Sequence, residues 1–269
     1  MPELPDVEWF TRLVQRHCLG QVIERVVVAD PGMLEGVAAA ALRSRLTHAT
    51  VRAARRHGKH LFIEVEPPGA LVLHFGTNGS LELLAREAAD PDYLRLALGF
   101  SAGGRLAYIN PRRLGGIGWA SSPEQFIAEA ELGPDALDRK FDFAAFSRIL
   151  GERKRDIKSV LMDQALMAGI GNLYSDEILF QAALHPNRRS NELDERERKR
   201  LFDSIKNVLK RAVESGAGSE HGIERLPRGF LLPERHRGGH CPRCGGPLAT
   251  LKRGARTSYF CPRCQPEPG

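Results

Sequence analysis

Cys241-Pro242-Arg243-Cys244, sixteen further residues, then Cys261-Pro262-Arg263-Cys264: this stretch decides how the end of the chain folds. Paired thiols at that interval, in a chain that shows no secretory leader, form the pattern of a tetrahedral zinc site. Two disulfides are the alternative and belong to an oxidising compartment. Four thiolates about 2.3 Å from one ion can order a two-stranded ribbon too small to bury a core of its own. Between the pairs lies Leu251-Lys252-Arg253-Gly254-Ala255-Arg256-Thr257, so the ribbon would carry three cations and a glycine at its tip. Such a finger suits phosphate or groove contact. Four cysteine ligands leave no open position for an activated water, so a single structural zinc ion is expected and no organic cofactor.

Composition agrees with that direction. The 269 residues are 42% hydrophobic, and no apolar run approaches the roughly 20 residues that span a bilayer. The expectation is a cytoplasmic, monomeric protein of about two domains with no membrane contact. Lys and Arg number 39 against 33 Asp and Glu, giving +6 and a pI near 9.2. That bias favours a polyanionic partner but also occurs in proteins with none. Cys18, outside the pairs, is read as a reduced core thiol.

Upstream, Val7, Phe10, Val14 and Cys18 recur at helical spacing and Gly20 supplies a stop. Short β-rich runs follow at Gln21–Val28, Ala49–Ala54, His60–Glu66, Ala70–Phe75, Leu81–Leu84, Tyr93–Phe100, Leu106–Ile109 and Gly116–Trp119, a spacing that predicts a sandwich or barrel. Ser122-Pro123-Glu124-Gln125 reads as a capping box with proline at the first helical position, Asp142 is a second cap, and the pattern to about Gly216 is helical. The stretch from Gly216 to Gly239, rich in glycine, proline and arginine, reads as a loop or linker. The fold class is therefore α+β and multidomain, with divisions at 1–125, 126–216, 217–239 and 240–269.

Two short motifs carry chemistry. In Gly169-Ile170-Gly171-Asn172 two helices meet at a tight turn, where the glycines permit φ > 0 and close backbone approach. Asn172 can cap the second helix and leave N–H groups facing outward as a phosphate site, or the turn is a helical hairpin with no ligand. At the other end, removal of Met1 would expose Pro2 as a secondary amine beside Glu3. An α-amine has a reference pKa of about 7.7–8.0, so part of it is unprotonated and nucleophilic near neutral pH. A proline at position 2 also occurs by composition alone.

Taken together, Pro2-Glu3-Leu4-Pro5-Asp6-Val7-Glu8, the Gly-Ile-Gly-Asn turn and the terminal four-cysteine ribbon resemble the formamidopyrimidine-DNA glycosylase/endonuclease VIII family of base-excision repair enzymes, over the whole chain and in order. The resemblance implies an N-terminal β-sandwich with its leading helix, a helix-two-turn-helix domain and a zinc finger that grip double-stranded DNA containing damaged bases or abasic sites. It also implies glycosylase followed by lyase chemistry. Residue by residue, it implies that Pro2 is the Schiff-base nucleophile and Glu3 the acid assisting opening of the deoxyribose ring. Lys59, in Arg55-Arg56-His57-Gly58-Lys59-His60-Leu61, matches a hairpin lysine that contacts phosphate near the lesion. Asn172 and Arg256 match phosphate-gripping residues, with Lys158 a weaker member of that set. Such contacts position a duplex without reading its sequence.

Two loops would fill the hole left by an extruded nucleotide. His74-Phe75-Gly76-Thr77-Asn78-Gly79-Ser80 has Thr77 where the family usually has methionine. Asn110-Pro111-Arg112-Arg113-Leu114-Gly115 keeps Arg112, which would face the orphaned base, and puts Leu114 in place of a wedging phenylalanine. Asp6 stands for a more usual glutamate. The compact segment Ser215–His240 lacks the pattern of the loop that closes over the base in purine-specific members. These departures predict weak discrimination of the opposite base, and activity on oxidised pyrimidines, ring-opened purines or abasic sites at least equal to that on 8-oxoguanine paired with cytosine. Two other readings stand beside this one: a damage sensor that has lost excision, against which Pro2, Glu3 and Lys59 argue, and a zinc-ribbon regulator of transcription or chromatin.

Overall fold

The computed structural model describes residues 2–151, 154–218 and 222–267, with only the backbone of Arg253. They divide into two compact units, Pro2 with Val7–Glu131, and Glu3–Asp6 with the described residues from Leu132 onward.

In the first unit, helix α1 (Leu4–His17) enters from the other unit's Leu4–Asp6 and is followed by β1 (Ile23–Val28), β2 (Leu34–Glu35) and α2 (Ala39–Leu46). Strands β3 (Thr50–His57), β4 (His60–Glu66), β5 (Gly69–His74), β6 (Ser80–Leu84), β7 (Leu94–Phe100), β8 (Arg105–Ile109) and β9 (Gly116–Ala120) come next, then α3 (Pro123–Glu129). They form two sheets, ordered β1-β7-β8-β6 and β2-β9-β5-β4-β3, antiparallel except for the β2–β9 pair. Alternate residues make the sandwich core. Leu61, Ile63, Val65, Leu71 and Leu73 from one sheet meet Val26, Leu81, Leu96, Leu98 and Leu106 from the other, with Val7, Phe10 and Val14 of α1 and Cys18 just after it closing one side. The opposite pleat positions Phe62, Ala70 and Val72 pack under Phe126 and Ile127 of α3, which is why β4 and β5 read as nearly unbroken apolar runs.

Two differences from expectation have physical causes. β3 continues to His57 because the charges that ended its apolar pattern are paired: Arg55 with Glu64 at 2.6 Å, Arg56 with Glu8 at 3.1 Å, and Arg52 with Glu66. α2 was not expected at all. It is alanine-rich, has no side-chain cap at Ala38, and is held by only two buried leucines, Leu42 and Leu46.

The second unit holds α4 (Phe143–Gly151), α5 (Ile157–Leu161), α6 (Asn172–Gln181) and α7 (Glu195–Ser215), then the ribbon β10 (Ala249–Arg253) and β11 (Arg256–Phe260). At Ser122 the cap is made, with Gln125 N–H donating to Ser122 Oγ at 3.2 Å, but the expected box is not completed, because the Gln125 side chain bonds Ser121 and Glu129; at Asp142 the cap is made by Ala145 N–H to Oδ1 at 2.9 Å. α7 opens on a reciprocal capping box at Asp194 and Glu197 and ends at Gly216 in the left-handed region. α6 is buried almost all round, and Leu4, Phe146, Ile157, Ile178 and Leu209 share its core.

The segment after Gly216 is more than a linker. Leu226, Phe230, Leu231 and Leu232 are buried, two short 3₁₀ turns shape it at Ile223–Arg225 and Leu232–Glu234, and Ser219 to His221 lie outside the described residues. Its glycines and prolines hide its periodicity, whereas its apolar residues pack. No helix is long and apolar enough to cross a membrane among the described residues.

Candidate functional site

The Gly169–Gly171 turn is glycine because the chain's third and fourth residues lie against it. A Cβ on Gly169, at φ 117°, would sit 2.6 Å from Leu4 Cδ1, and one on Gly171 would sit 2.4 Å from Glu3 Cδ. Leu4 N–H donates to Gly169 O at 3.1 Å. The Glu3 carboxylate then closes the start of α6: Oε2 accepts from Gly171 N at 2.7 Å and Tyr174 N at 3.2 Å, and Oε1 from Leu173 N at 2.8 Å. Glu3 N–H itself donates to Asp6 Oδ2 at 2.7 Å.

This corrects the expectation that the N–H groups at the start of α6 face outward. The turn does make an anion site at a helix N-terminus, as backbone donors and the helix dipole allow. Its occupant is a carboxylate of the same chain. Asn172 does not cap α6, because Gly171 holds the cap position. Its side chain instead accepts from Lys158 Nζ at 2.8 Å and donates to Thr257 O at 3.3 Å.

Lys158 is a second correction. Expected as a phosphate-facing cation, its ammonium is buried, 2.6 Å from Asp176 Oδ1 and 2.7 Å from Ser258 Oγ. Burial holds it below the ordinary lysine range, against the pull of Asp176. Asp176 is the hub. Its Oδ2 accepts from Arg235 Nε at 2.8 Å and Tyr259 N at 3.0 Å, while Arg235 also donates to Thr257 O at 2.7 Å. Four segments of this unit thus converge where β11 begins, and Arg256 projects there, exposed, beside a two-residue turn at Gly254 and Ala255. Glu177, the next residue, accepts from Leu232 N at 2.8 Å and Gln181 Nε2 at 2.8 Å, and its burial pushes the carboxyl up to about 7. Sequence reasoning passed over Asp176, Glu177 and Arg235. Two acids in the middle of an otherwise apolar, buried helix were the signal, since such groups require partners.

The four cysteines converge as expected. Their sulfurs all lie within 4.8 Å of one another, with Cys241 Sγ to Cys264 Sγ at 3.8 Å and Cys244 Sγ to Cys261 Sγ at 3.6 Å. A tetrahedron with zinc–sulfur bonds of about 2.3 Å has edges of about 3.8 Å, so one zinc ion fits. Phe180, Leu231 and Leu248 are the apolar side chains packed around the sulfurs, which agrees with a ribbon ordered by metal.

In the first unit, Pro2 is buried and Met1 lies outside the described residues. Lys59 follows Gly58, at φ 55°, in the β3–β4 turn and is half-buried. Burial, with the neighbouring charges of His74, His57 and Lys59, pulls His60 down to about 3; burial and Lys59 pull His74 down to about 4. Both rings are therefore neutral near pH 7.

The two loops expected to act together do touch. A Cβ on Gly76 would lie 2.3 Å from Leu114 O, Asn110 Nδ2 donates to Phe75 O at 3.1 Å, and Tyr108 Oη donates to His74 O at 2.8 Å. Leu114 is 54% exposed and Arg112 is exposed with no hydrogen bond or ion pair among the described residues. Arg113 is held by Asp30 at 3.0 Å. Thr77 does not reach out alongside them: it is half-buried, with its hydroxyl enclosed and unpartnered among the described residues.

Three family models match: the formamidopyrimidine-DNA glycosylase N-terminal domain over residues 1–117, the H2TH domain of the same glycosylase over 132–222, and a zinc finger found in FPG and IleRS over 238–266. The formamidopyrimidine-DNA glycosylase of Geobacter metallireducens is 35% identical over 269 residues, covering 98% of this chain and all of the relative. Among solved structures, the Lactococcus lactis glycosylase bound non-covalently to DNA containing an abasic site is 28% identical with TM-score 0.89, over 98% of this chain and all of the other. The same enzyme with DNA containing a formamidopyrimidine lesion is 29% identical with TM-score 0.89, again over 98% of this chain and all of the other.

Proposed function

The chain belongs to the formamidopyrimidine-DNA glycosylase family, and on that premise we propose that it excises damaged bases from double-stranded DNA and then cleaves the strand at the abasic site. The observation that carries this reading is the Glu3 carboxylate fixed by three backbone N–H groups at the start of α6, directly after Pro2 in the chain.

With Met1 removed, the Pro2 nitrogen attacks C1′ as the damaged base departs with the bonding pair and takes a proton from water, and the proton shed by the nitrogen passes to the Glu3 carboxylate. Its lone pair then forms the iminium as the C1′–O4′ bond breaks, while Glu3 assists by delivering a proton to O4′. Loss of a C2′ proton expels the 3′ phosphate, and a second elimination expels the 5′ phosphate. Lys59, Asn172 and Arg256 contact phosphates, and Lys158 serves by holding Asn172 and β11 in register. Arg112 and Leu114 occupy the vacated stack, with Thr77 supporting the neighbouring loop. The zinc ion, on Cys241, Cys244, Cys261 and Cys264, shapes the ribbon and takes no part in bond-making.

The layout that goes with this reading is a catalytic domain at 1–125, a DNA-binding helical domain at 126–216, a connecting segment at 217–239 and a zinc finger at 240–269, in a cytoplasmic monomer. The exposed leucine and enclosed threonine favour broad lesion choice, because a less complete wedge loses discrimination before it loses amine chemistry. The deciding experiment treats abasic and lesion duplexes with enzyme and borohydride. A covalent adduct at Pro2 supports the reading. Undiminished activity with Pro2 blocked by an added residue would overturn the nucleophile.

A further inference from the structure

We infer that Tyr93 is a nucleobase-stacking residue, a DNA contact that works beside Leu114; this rests on the reading of the chain as a DNA glycosylase. Among the described residues the two most exposed large apolar side chains are Tyr93, at 57%, and Leu114, at 54%. They are neighbours in the fold. Asn110 N–H donates to Tyr93 O at 3.1 Å, where β7 begins and β8 ends, and the chain runs on from Asn110 into the loop that carries Arg112 and Leu114. The four residue-to-residue steps from Asn110 to Leu114 span at most about 14 Å. That is no more than about four base steps at 3.4 Å each.

Folding alone does not account for a tyrosine there. Its backbone is left-handed, at φ 63°, a conformation that costs free energy in any residue with a Cβ and that glycine adopts freely. An exposed ring offsets little of that cost by burial, and a strained residue at a loop edge points to a role in binding. The ring is also backed. The Arg95 guanidinium lies 5.9 Å from its centroid, within cation–π range, and is itself fixed by Asp30 at 3.0 Å and by Asn110 O at 2.9 Å. Asp30 holds Arg113 of the loop as well. One small ion cluster therefore sets both the platform and the loop, and leaves an aromatic face open to a base, which any base can use because each has a π face.

The test compares wild type with Tyr93→Gly, Tyr93→Phe and Tyr93→Trp on a duplex carrying a tetrahydrofuran abasic analogue flanked by 2-aminopurine. Glycine removes the ring while relieving the backbone, so loss of fold does not confuse the result. The expected outcome is a Kd about 5- to 100-fold weaker for Tyr93→Gly, with phenylalanine near wild type and tryptophan equal or tighter. The change in 2-aminopurine fluorescence on binding should vanish only in the glycine variant. The slope of log K against log[salt] should stay constant, since no phosphate contact is lost. Tyr93→Gly binding within twofold of wild type, with the fluorescence change intact, overturns the inference, and so does a loss that comes with an altered salt slope. If wild type neither traps on a duplex with a true abasic site nor excises a damaged base, the fault lies in the glycosylase reading instead.

Discussion

Glu3 and Lys158 show how single side chains decide this site. Glu3 uses both oxygens to accept three N–H bonds, and glutamine can supply only one acceptor oxygen. Glu3→Gln should set an amide N–H₂ against a backbone N–H, destabilise the second unit by about 1–3 kcal/mol in urea melts, and lower base excision more than lyase action on a preformed abasic site. Equal losses in both assays would assign Glu3 a purely structural place. Lys158→Met should cost on the order of 2–3 kcal/mol, less than the 3–5 of a pair with no substitute, because Asp176 keeps Arg235 and Tyr259 N–H. It should also weaken DNA binding without removing a phosphate contact, so the salt slope stays at the wild-type value. The acid role of Glu3 was legible beforehand, but neither set of contacts was. Glu3 and Gly171 are 168 residues apart, and Lys158, in a five-residue helix, has the local pattern of a solvated cation.

At the scale of elements, the ribbon β10–β11 stands on metal and on one polar junction. Chelation, or Cys244→Ser, should free the Gly254 turn while Thr257 to Tyr259 stay tethered through Arg235, Lys158 and Asp176. Hydrogen exchange should rise first at Leu251 to Arg256 and leave β4 and β5 protected. Uniform exposure of the whole second unit would place the zinc at the root of its stability instead. Element legibility followed the strength of local pattern. The thiol spacing, the caps at Ser122 and Asp142 and the apolar runs of β4 and β7 each rest on contacts within a few residues, or on a chemistry with few solutions. α2 escaped notice because alanine supplies helix propensity without an amphipathic stripe, and the packed segment after Gly216 because proline and glycine interrupt its apolar period.

Across the whole molecule, the two units carry titrating groups of opposite consequence. Folding lowers His60 from 6.5 to about 3 and His74 from 6.5 to about 4, so below about pH 6.5 the unfolded chain binds protons that the folded first unit refuses. That unit should lose up to about 1.4 kcal/mol per histidine for each pH unit of acidification in this range. Folding raises Glu177 from 4.5 to about 7, so between those values the folded second unit holds a proton the unfolded chain has released. Its contribution is full below 4.5 and lost as pH climbs through 7. Exchange protection, corrected for intrinsic rates, should therefore fall in β4 and β5 from pH 7.5 to 5.5 and rise in α6, with His60→Phe and Glu177→Gln flattening the respective slopes. Parallel trends in the two units would refute the assignment. The clasp of Glu3 on α6 also sets an order of events during synthesis. At about 5–20 residues per second, residue 3 leaves the ribosome roughly ten to thirty seconds before residues 171 to 174 exist to receive it. A nascent chain halted before residue 171 should keep its first few residues open to an aminopeptidase, and one halted well beyond residue 215 should shield them, so the segment made first is shielded only once most of the chain exists.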